Sequence, residues 1–153
     1  MPVRDERNTK KLLVFVCTGN TCRSPMAEAL AREFMPDDWE VSSAGLHASV
    51  GDPPTPEAVL AVSELGADIS GHRVRSMTDA LAFSATLLVG MTAAHATELR
   101  RRFPFAAEKV HTLGEYGPKP ARDIADPFGG TLADYRQCIR AIRACLPGLR
   151  ARL

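Results

Sequence analysis

Lys11-Leu-Leu-Val-Phe-Val-Cys-Thr-Gly-Asn-Thr-Cys-Arg-Ser-Pro-Met-Ala-Glu28 carries three local signals in succession. Residues 11–17 are a nearly uninterrupted apolar run with β-branched Val14 and Val16, which suits a strand buried on both faces of a parallel sheet. Gly19-Asn20 then breaks the run with two residue types that tolerate left-handed backbone. Ser24-Pro25 opens a segment in which Met26, Ala29, Leu30, Glu33 and Phe34 recur at helical spacing, with Ser24 suited to the N-cap and Pro25 to the first helical position. The stretch reads as strand, loop, helix.

The pattern continues outward from there. Trp39 to Ala44 alternates as a second strand, and the glycine and prolines of the segment from Gly45 to Pro56 predict a loop. Glu57 to Leu65 reads as a helix stopped by Gly66. Leu87 to Met91 is another buried-type strand, followed by a helix over Ala93 to Phe103 and a short strand over Lys109 to Leu113. Thr131 to Leu146 closes the chain as an amphipathic helix with Leu132, Tyr135, Ile139 and Ile142 on one face. Strands alternating with helices predict an α/β fold, a parallel sheet with right-handed crossovers and helices on both faces. In such sheets the ligand sits beyond the carboxyl ends of the strands, which is where residues 17–24 fall.

A loop between a buried strand and a helix N-terminus collects backbone N–H groups in one concavity, and the helix dipole adds positive potential. Thr18, Gly19, Asn20, Thr21, Cys22 and Ser24 are therefore read as the wall of an oxyanion site. Arg23 can return a planar guanidinium to the bound group and grip two of its oxygens, a fork that lysine does not reproduce. These surroundings favour the thiolate form of Cys17 and make it the candidate nucleophile. Ser24 is placed to donate a hydrogen bond to that thiolate, which keeps sulfur a good leaving group. A lone cysteine at a strand end is usually a small buried residue and nothing more. Cysteine, five intervening residues, arginine and serine, set between a strand and a helix start, point instead to chemistry.

Composition names no partner. The 153 residues are 45% hydrophobic and 24% charged with a formal net charge of +1, ordinary values for one globular domain. No blanket of positive charge calls for nucleic acid, and the basic residues between Arg140 and Arg152 suit a solvated helix face. The longest apolar runs fall far short of the roughly 20 residues that cross a bilayer, so no membrane association is expected. Residues 1–10 read as a disordered extension and residues 11–153 as a single domain, cytoplasmic and monomeric. The four cysteines fit neither a disulfide scaffold nor zinc-ligand spacing, and neither a metal nor a cofactor is called for.

Val16 to Glu28 closely resembles the low-molecular-weight protein tyrosine phosphatase family, and the likeness extends through Ser42-Ser-Ala-Gly45, His72 and Asp126-Pro127-Phe128. The resemblance implies a three-layer sandwich with a four-stranded parallel sheet flanked by helices. It also implies phosphoryl transfer to Cys17 with phosphorylated proteins as partners. Such a transfer needs a proton for the departing atom. The family supplies its general acid from an Asp-Pro segment, which makes Asp126 the leading candidate and Asp123 its competitor. By the same resemblance, Asn20 holds the loop through side-chain hydrogen bonds to Ser43 and His72. His47, His95 and His111 lack a motif and read as structural or exposed.

Most tyrosine-directed members carry a tyrosine after Asp-Pro and a larger aliphatic residue where this chain has Thr21. Thr21 and Phe128 resemble instead the bacterial protein arginine phosphatases of the same family, which oppose a protein arginine kinase in stress and protein-degradation control. Thr21 leaves a smaller and more polar wall beside phosphorus, Phe128 would line the slot for an arginine stem, and Asp126 could both pair with the guanidinium and protonate its nitrogen. Phosphotyrosine is the alternative substrate. Cys22 shares the loop with Cys17, so a reversible disulfide between them is an expected oxidative shut-off, with activity lost in mild peroxide and regained with dithiothreitol. Packing is the alternative role for Cys22. An arsenate reductase shares the loop but needs further cysteines as a relay. Cys138 and Cys145 lie two helical turns apart, roughly 10 Å, too far to bridge.

Overall fold

The run from Lys11 to Cys17 is the strand on which the rest of the molecule is assembled. A computed structural model of the protein describes residues 10–153. The expected N-terminal extension, Lys10 apart, lies outside the described residues. In chain order the elements are β1 (Lys11–Cys17), α1 (Arg23–Ala31), β2 (Trp39–Gly45), α2 (Pro56–Ser63), α3 (Asp79–Ser84), β3 (Leu87–Gly90), α4 (Ala93–Arg102), β4 (Val110–Thr112) and α5 (Leu132–Ala151). The four strands form one parallel sheet in the order β2-β1-β3-β4.

Strand alternation divides the interior into two layers. Leu13, Phe15 and Cys17 face one side of the sheet and pack with α1, α2 and α5, through Met26, Val62, Tyr135 and Ile142 among others. Val14 and Val16 face the other side and pack with α3 and α4, through Leu81, Leu99 and Phe103. A central strand covered on both faces has no place for a polar side chain, which explains the apolar run. The register sets Cys17 beside Gly45 and Val16 beside Gly90, so the carboxyl ends of three strands meet at the loop that follows Cys17.

Several boundaries differ from the sequence expectation, each for a local reason. Helix α1 begins one residue before Ser24. Its N-cap is Cys22, which makes no side-chain capping bond, and the Ser24 hydroxyl is turned to Cys17 instead. Pro25 still lies in the first turn, where its missing N–H costs nothing. The helix ends at Ala31, before Glu33 and Phe34.

The last helix does not stop at Leu146 but runs through Pro147 and Gly148 to Ala151. Pro-Gly reads locally as a stop, yet buried Leu146 and Leu149 anchor the final turns against the core. Gly148 is there for contact: a Cβ on it would collide with the carbonyl oxygen of Tyr116. Helix α3 escapes periodicity because it is only six residues long. Its cue is Thr78, whose hydroxyl accepts the Leu81 N–H at 3.1 Å. The shortest strand contracts to Val110–Thr112.

Candidate active site

The loop from Cys17 to Arg23 is held by its carbonyls. Those of Cys17, Thr18, Thr21 and Cys22 accept from the N–H groups of Leu46 (2.9 Å), His47 (2.9 Å), Thr55 (3.0 Å) and Met26 (3.1 Å). The Asn20 carbonyl accepts from His72 Nε2 at 2.9 Å. A trans peptide sets its N–H opposite its C=O. The N–H groups of Thr18, Gly19, Thr21, Cys22 and Arg23 therefore turn away from these partners, to the inner side of the curl. Asn20, the only non-glycine residue at positive φ (56°) among the described residues, makes the left-handed step that closes it, and its own N–H meets Cys17 Sγ at 3.3 Å. Gly45 permits the close passage of β2, since a Cβ there would lie 2.7 Å from the Thr18 carbonyl oxygen.

The side chains form a chain of hydrogen bonds with a defined direction. Asn20 Oδ1 accepts the Arg75 N–H at 3.0 Å, which fixes the amide so that Nδ2 faces Ser24 Oγ (2.9 Å) and Ser43 Oγ (3.0 Å). Ser43 Oγ gives its hydrogen to the Glu28 carboxylate at 3.0 Å. Ser24, already accepting from Asn20, has its own hydrogen free for Cys17 Sγ at 2.9 Å. Asn20, Ser24 and Ser43 are fully buried, so this network is shielded from water and its polarity is firmly imposed. His72 differs from the expectation in one respect: it holds the main-chain carbonyl of Asn20, not its side chain.

Arg23 lies under the loop with its side chain only 7% exposed, and joins it to the segment that leads into α5. Nη1 donates to the Ile124 carbonyl at 3.0 Å, and Nη2 lies 3.5 Å from Asp126 Oδ2. Ile124 is itself fixed by its N–H to the Met91 carbonyl at the end of β3 (2.9 Å). Asp126 accepts the Phe128 N–H on Oδ1 at 3.1 Å and is half exposed. Asp123 has a different task, since its Oδ1 caps the start of α4 by accepting the Ala93 N–H at 2.9 Å. The loop thus carries a buried thiol and inward N–H groups, and Arg23 ties it to the Asp126 carboxylate; N–H groups and a guanidinium on one loop can bind a tetrahedral oxyanion.

Thr21 is half-buried, with Oγ1 3.6 Å from Cys22 Sγ. Phe128 is 67% exposed beside Asp126. Cys22 is buried, with Tyr135 Oη at 3.9 Å, and burial raises its pKa. Cys138 is pushed up to about 12 by burial. It lines a cavity of about 640 Å³, walled by the segment Asp123–Phe128 and by α5, that does not include the residues of the loop. Cys138 and Cys145 sit on one continuous helix and both are free thiols.

Glu28, Arg75 and His95 are members of the site that the sequence does not disclose. His95 is 7% exposed and its Nε2 meets Thr18 Oγ1 at 2.9 Å. Burial, assisted by the nearby Arg23 cation, lowers its pKa to about 4. His47 and His111 are partnered at the surface by Glu98 and Glu115.

Comparison with known proteins matches residues 12–153 to the family described as low molecular weight phosphotyrosine protein phosphatase. The chain is 38% identical over 145 residues to the probable low molecular weight protein-tyrosine-phosphatase EpsP of Ralstonia nicotianae, covering 92% of this chain and 97% of that one. It is 41% identical over 128 residues to the protein-arginine-phosphatase of Bacillus subtilis, covering 82% and 85%. The YwlE arginine phosphatase structure from Geobacillus stearothermophilus superposes with a TM-score of 0.87 at 35% identity, over 93% of this chain and 92% of that one. Among the described residues no helix is long and apolar enough to cross a membrane. With residues 12–153 matched to the family and these relatives covering 82–93% of its length, the chain belongs to the low molecular weight phosphotyrosine protein phosphatase family, whose members are cysteine-dependent protein phosphatases.

Proposed function

We propose that the protein removes phosphate from phosphoarginine in other proteins through a cysteinyl-phosphate formed on Cys17. Relatives named for tyrosine and for arginine match at similar identity, so overall likeness does not choose between them. The observation that carries the choice is Thr21. Its short β-branched side chain folds back over the loop, with Oγ1 near Cys22 Sγ and 3.6 Å from the place a Gly19 Cβ would take. This leaves a low, polar wall beside the phosphorus position. A guanidinium, which carries N–H donors to its edge, suits that wall better than the apolar face of a phenol.

The geometry supports a two-step reaction. The inward N–H groups and the free edge of Arg23 hold the phosphoryl oxygens. The Cys17 thiolate attacks phosphorus, the P–N bond breaks, and Asp126 gives its proton to the departing nitrogen. Water then attacks the phosphocysteine while the Asp126 carboxylate takes its proton. The sulfur leaves as thiolate, received by the Ser24 hydroxyl hydrogen, and orthophosphate is released. Arg23 holds Asp126 within reach before substrate arrives, and the substrate's guanidinium can replace it as partner of the carboxylate.

The test compares matched phosphoarginine and phosphotyrosine peptides with the wild type and Thr21→Ile. The wild type is expected to prefer phosphoarginine in kcat/KM. Thr21→Ile is expected to shift the ratio toward phosphotyrosine by about 10- to 100-fold, the effect of roughly 1–3 kcal/mol at a pocket wall. Equal or better phosphotyrosine turnover by the wild type sinks the arginine assignment and leaves a tyrosine phosphatase.

A further inference from the structure

His95 is a buried histidine that none of the steps above uses. It stands in the first turn of α4, three residues after the N-cap Thr92, whose hydroxyl accepts the His95 N–H at 3.1 Å. Its ring is 7% exposed and reaches across 77 positions of sequence to Thr18, the first residue after the nucleophile. Nε2 lies 2.9 Å from Thr18 Oγ1, while Nδ1 is buried without a hydrogen-bond partner among the described residues. Orphaned buried nitrogens are uncommon and cost stability. A position that only filled space would be better served by an apolar residue of similar size, so the pairing with Thr18 is what the histidine contributes.

The tautomer follows from the same observation. An unpaired buried N–H is rarer than an unpaired acceptor, so Nδ1 is the bare nitrogen and Nε2 carries the hydrogen and donates it to Thr18 Oγ1. Arg23, Asp123, Asp126 and Glu98 all lie near the ring, yet burial and the Arg23 cation outweigh the three carboxylates and keep it uncharged at neutral pH. The loop is thus pinned by two imidazoles. His72 holds the Asn20 carbonyl on one side, and His95 holds the Thr18 side chain on the other. Among the described residues Thr18 is otherwise tied only through its carbonyl to His47, and its own N–H and that of Gly19 are the first two of the inward set.

We propose that His95 is a positioning residue of the phosphatase site, acting through Thr18 to fix the first two N–H groups of the oxyanion cradle. The inference rests on the loop being a phosphatase site, and its assay is chosen to separate the two. Hydrolysis of para-nitrophenyl phosphate by the wild type tests the phosphatase reading; the variants test His95.

His95→Leu is expected to lower kcat/KM about tenfold and to weaken competitive inhibition by orthophosphate. It should keep or raise the thermal midpoint, because an orphaned nitrogen has been removed. His95→Gln, whose amide can present a donor near the place of Nε2, should recover kcat/KM to within about threefold of the wild type. Thr18→Val should reproduce the loss from the loop side, and His95→Leu with Thr18→Val should lose no more than either alone, as expected of two residues acting through one contact. Imidazole nitrogen shifts should report the Nε2–H tautomer unchanged from pH 5.5 to 8. An active wild type whose His95→Leu variant keeps kcat/KM within twofold overturns the proposal. So do losses that multiply in the double variant, or a His95→Leu variant that merely melts lower with full activity per folded molecule.

Discussion

Cys17→Ser is expected to lower turnover of every phosphorylated substrate by roughly 10⁴-fold or more while leaving the fold intact. The replacement exchanges one atom in a side chain that is 3% exposed. Serine oxygen can still take the hydrogen bonds that Ser24 and the Asn20 N–H offer the sulfur. What is lost is nucleophilicity and leaving ability together. A hydroxyl in the same cradle is a weaker attacker, and an alkoxide is a far poorer leaving group than a thiolate when water arrives. Circular dichroism and thermal melting should therefore match the wild type, and orthophosphate should still bind. Cys22→Ser is the control from the same loop. Cys22 is buried, and burial disfavours its thiolate, so turnover should stay within about threefold of the wild type. Comparable losses from the two variants would remove the distinction on which the assignment of Cys17 rests.

Asp126→Asn carries the second large effect. A positioned general acid contributes on the order of 10²–10⁴-fold, and the variant is expected to fall by about 10²–10³-fold in kcat/KM with phosphoarginine peptides. Its pH profile should also flatten on the side where an acid must be protonated. Asn keeps Oδ1 for the Phe128 N–H, so the turn that carries it should survive. Asp123→Asn is the matched comparison. Asp123 accepts the Ala93 N–H at the start of α4, and an asparagine oxygen accepts it as well, so this variant should stay within about threefold. The reverse pattern, with Asp123→Asn crippled and Asp126→Asn active, would transfer the proton to the other aspartate.

The parts of this site that can be read from the sequence are those encoded within one turn of chain. Residues 11–17 must be a covered strand because no polar side chain interrupts Leu12–Val16, and Cys17 to Ser24 are adjacent enough to form their loop without help. Even there, local rules misplace Ser24. It has the residue type and the proline neighbour of an N-cap, but the loop runs into the helix two residues earlier, with Cys22 at the N-cap, and the serine serves the sulfur instead. Asp126 was within reach only through family resemblance, because nothing in Asp-Pro itself distinguishes an acid from a turn former. Pro147-Gly148 is a local stop signal that tertiary packing overrides, since buried Leu146 and Leu149 hold the final turns against the core.

Glu28, Arg75 and His95 could not be found from the chain alone. Glu28 matters because β2 brings Ser43 beside α1. Arg75 matters through a backbone N–H, which every residue but proline possesses. His95 meets Thr18 because β1 and β3 are neighbours in the sheet, with Val16 opposite Gly90, a pairing that depends on strand order and not on spacing. The alternation of strands and helices fixes that the sheet is parallel, whereas the order β2-β1-β3-β4 decides which loops meet at its carboxyl edge.

Catalysis turns on a phosphoryl group passing through Cys17. Rapid acid quenching of the wild type during turnover of a phosphoarginine protein, followed by mass spectrometry of the peptide spanning residues 11–23, tests this most directly. The peptide is expected to gain one phosphoryl group on Cys17; the adduct should accumulate in Asp126→Asn, whose hydrolysis step lacks its base, and vanish in Cys17→Ala. Steady release of phosphate with Cys17 unlabelled, or with the label on another residue, would contradict it.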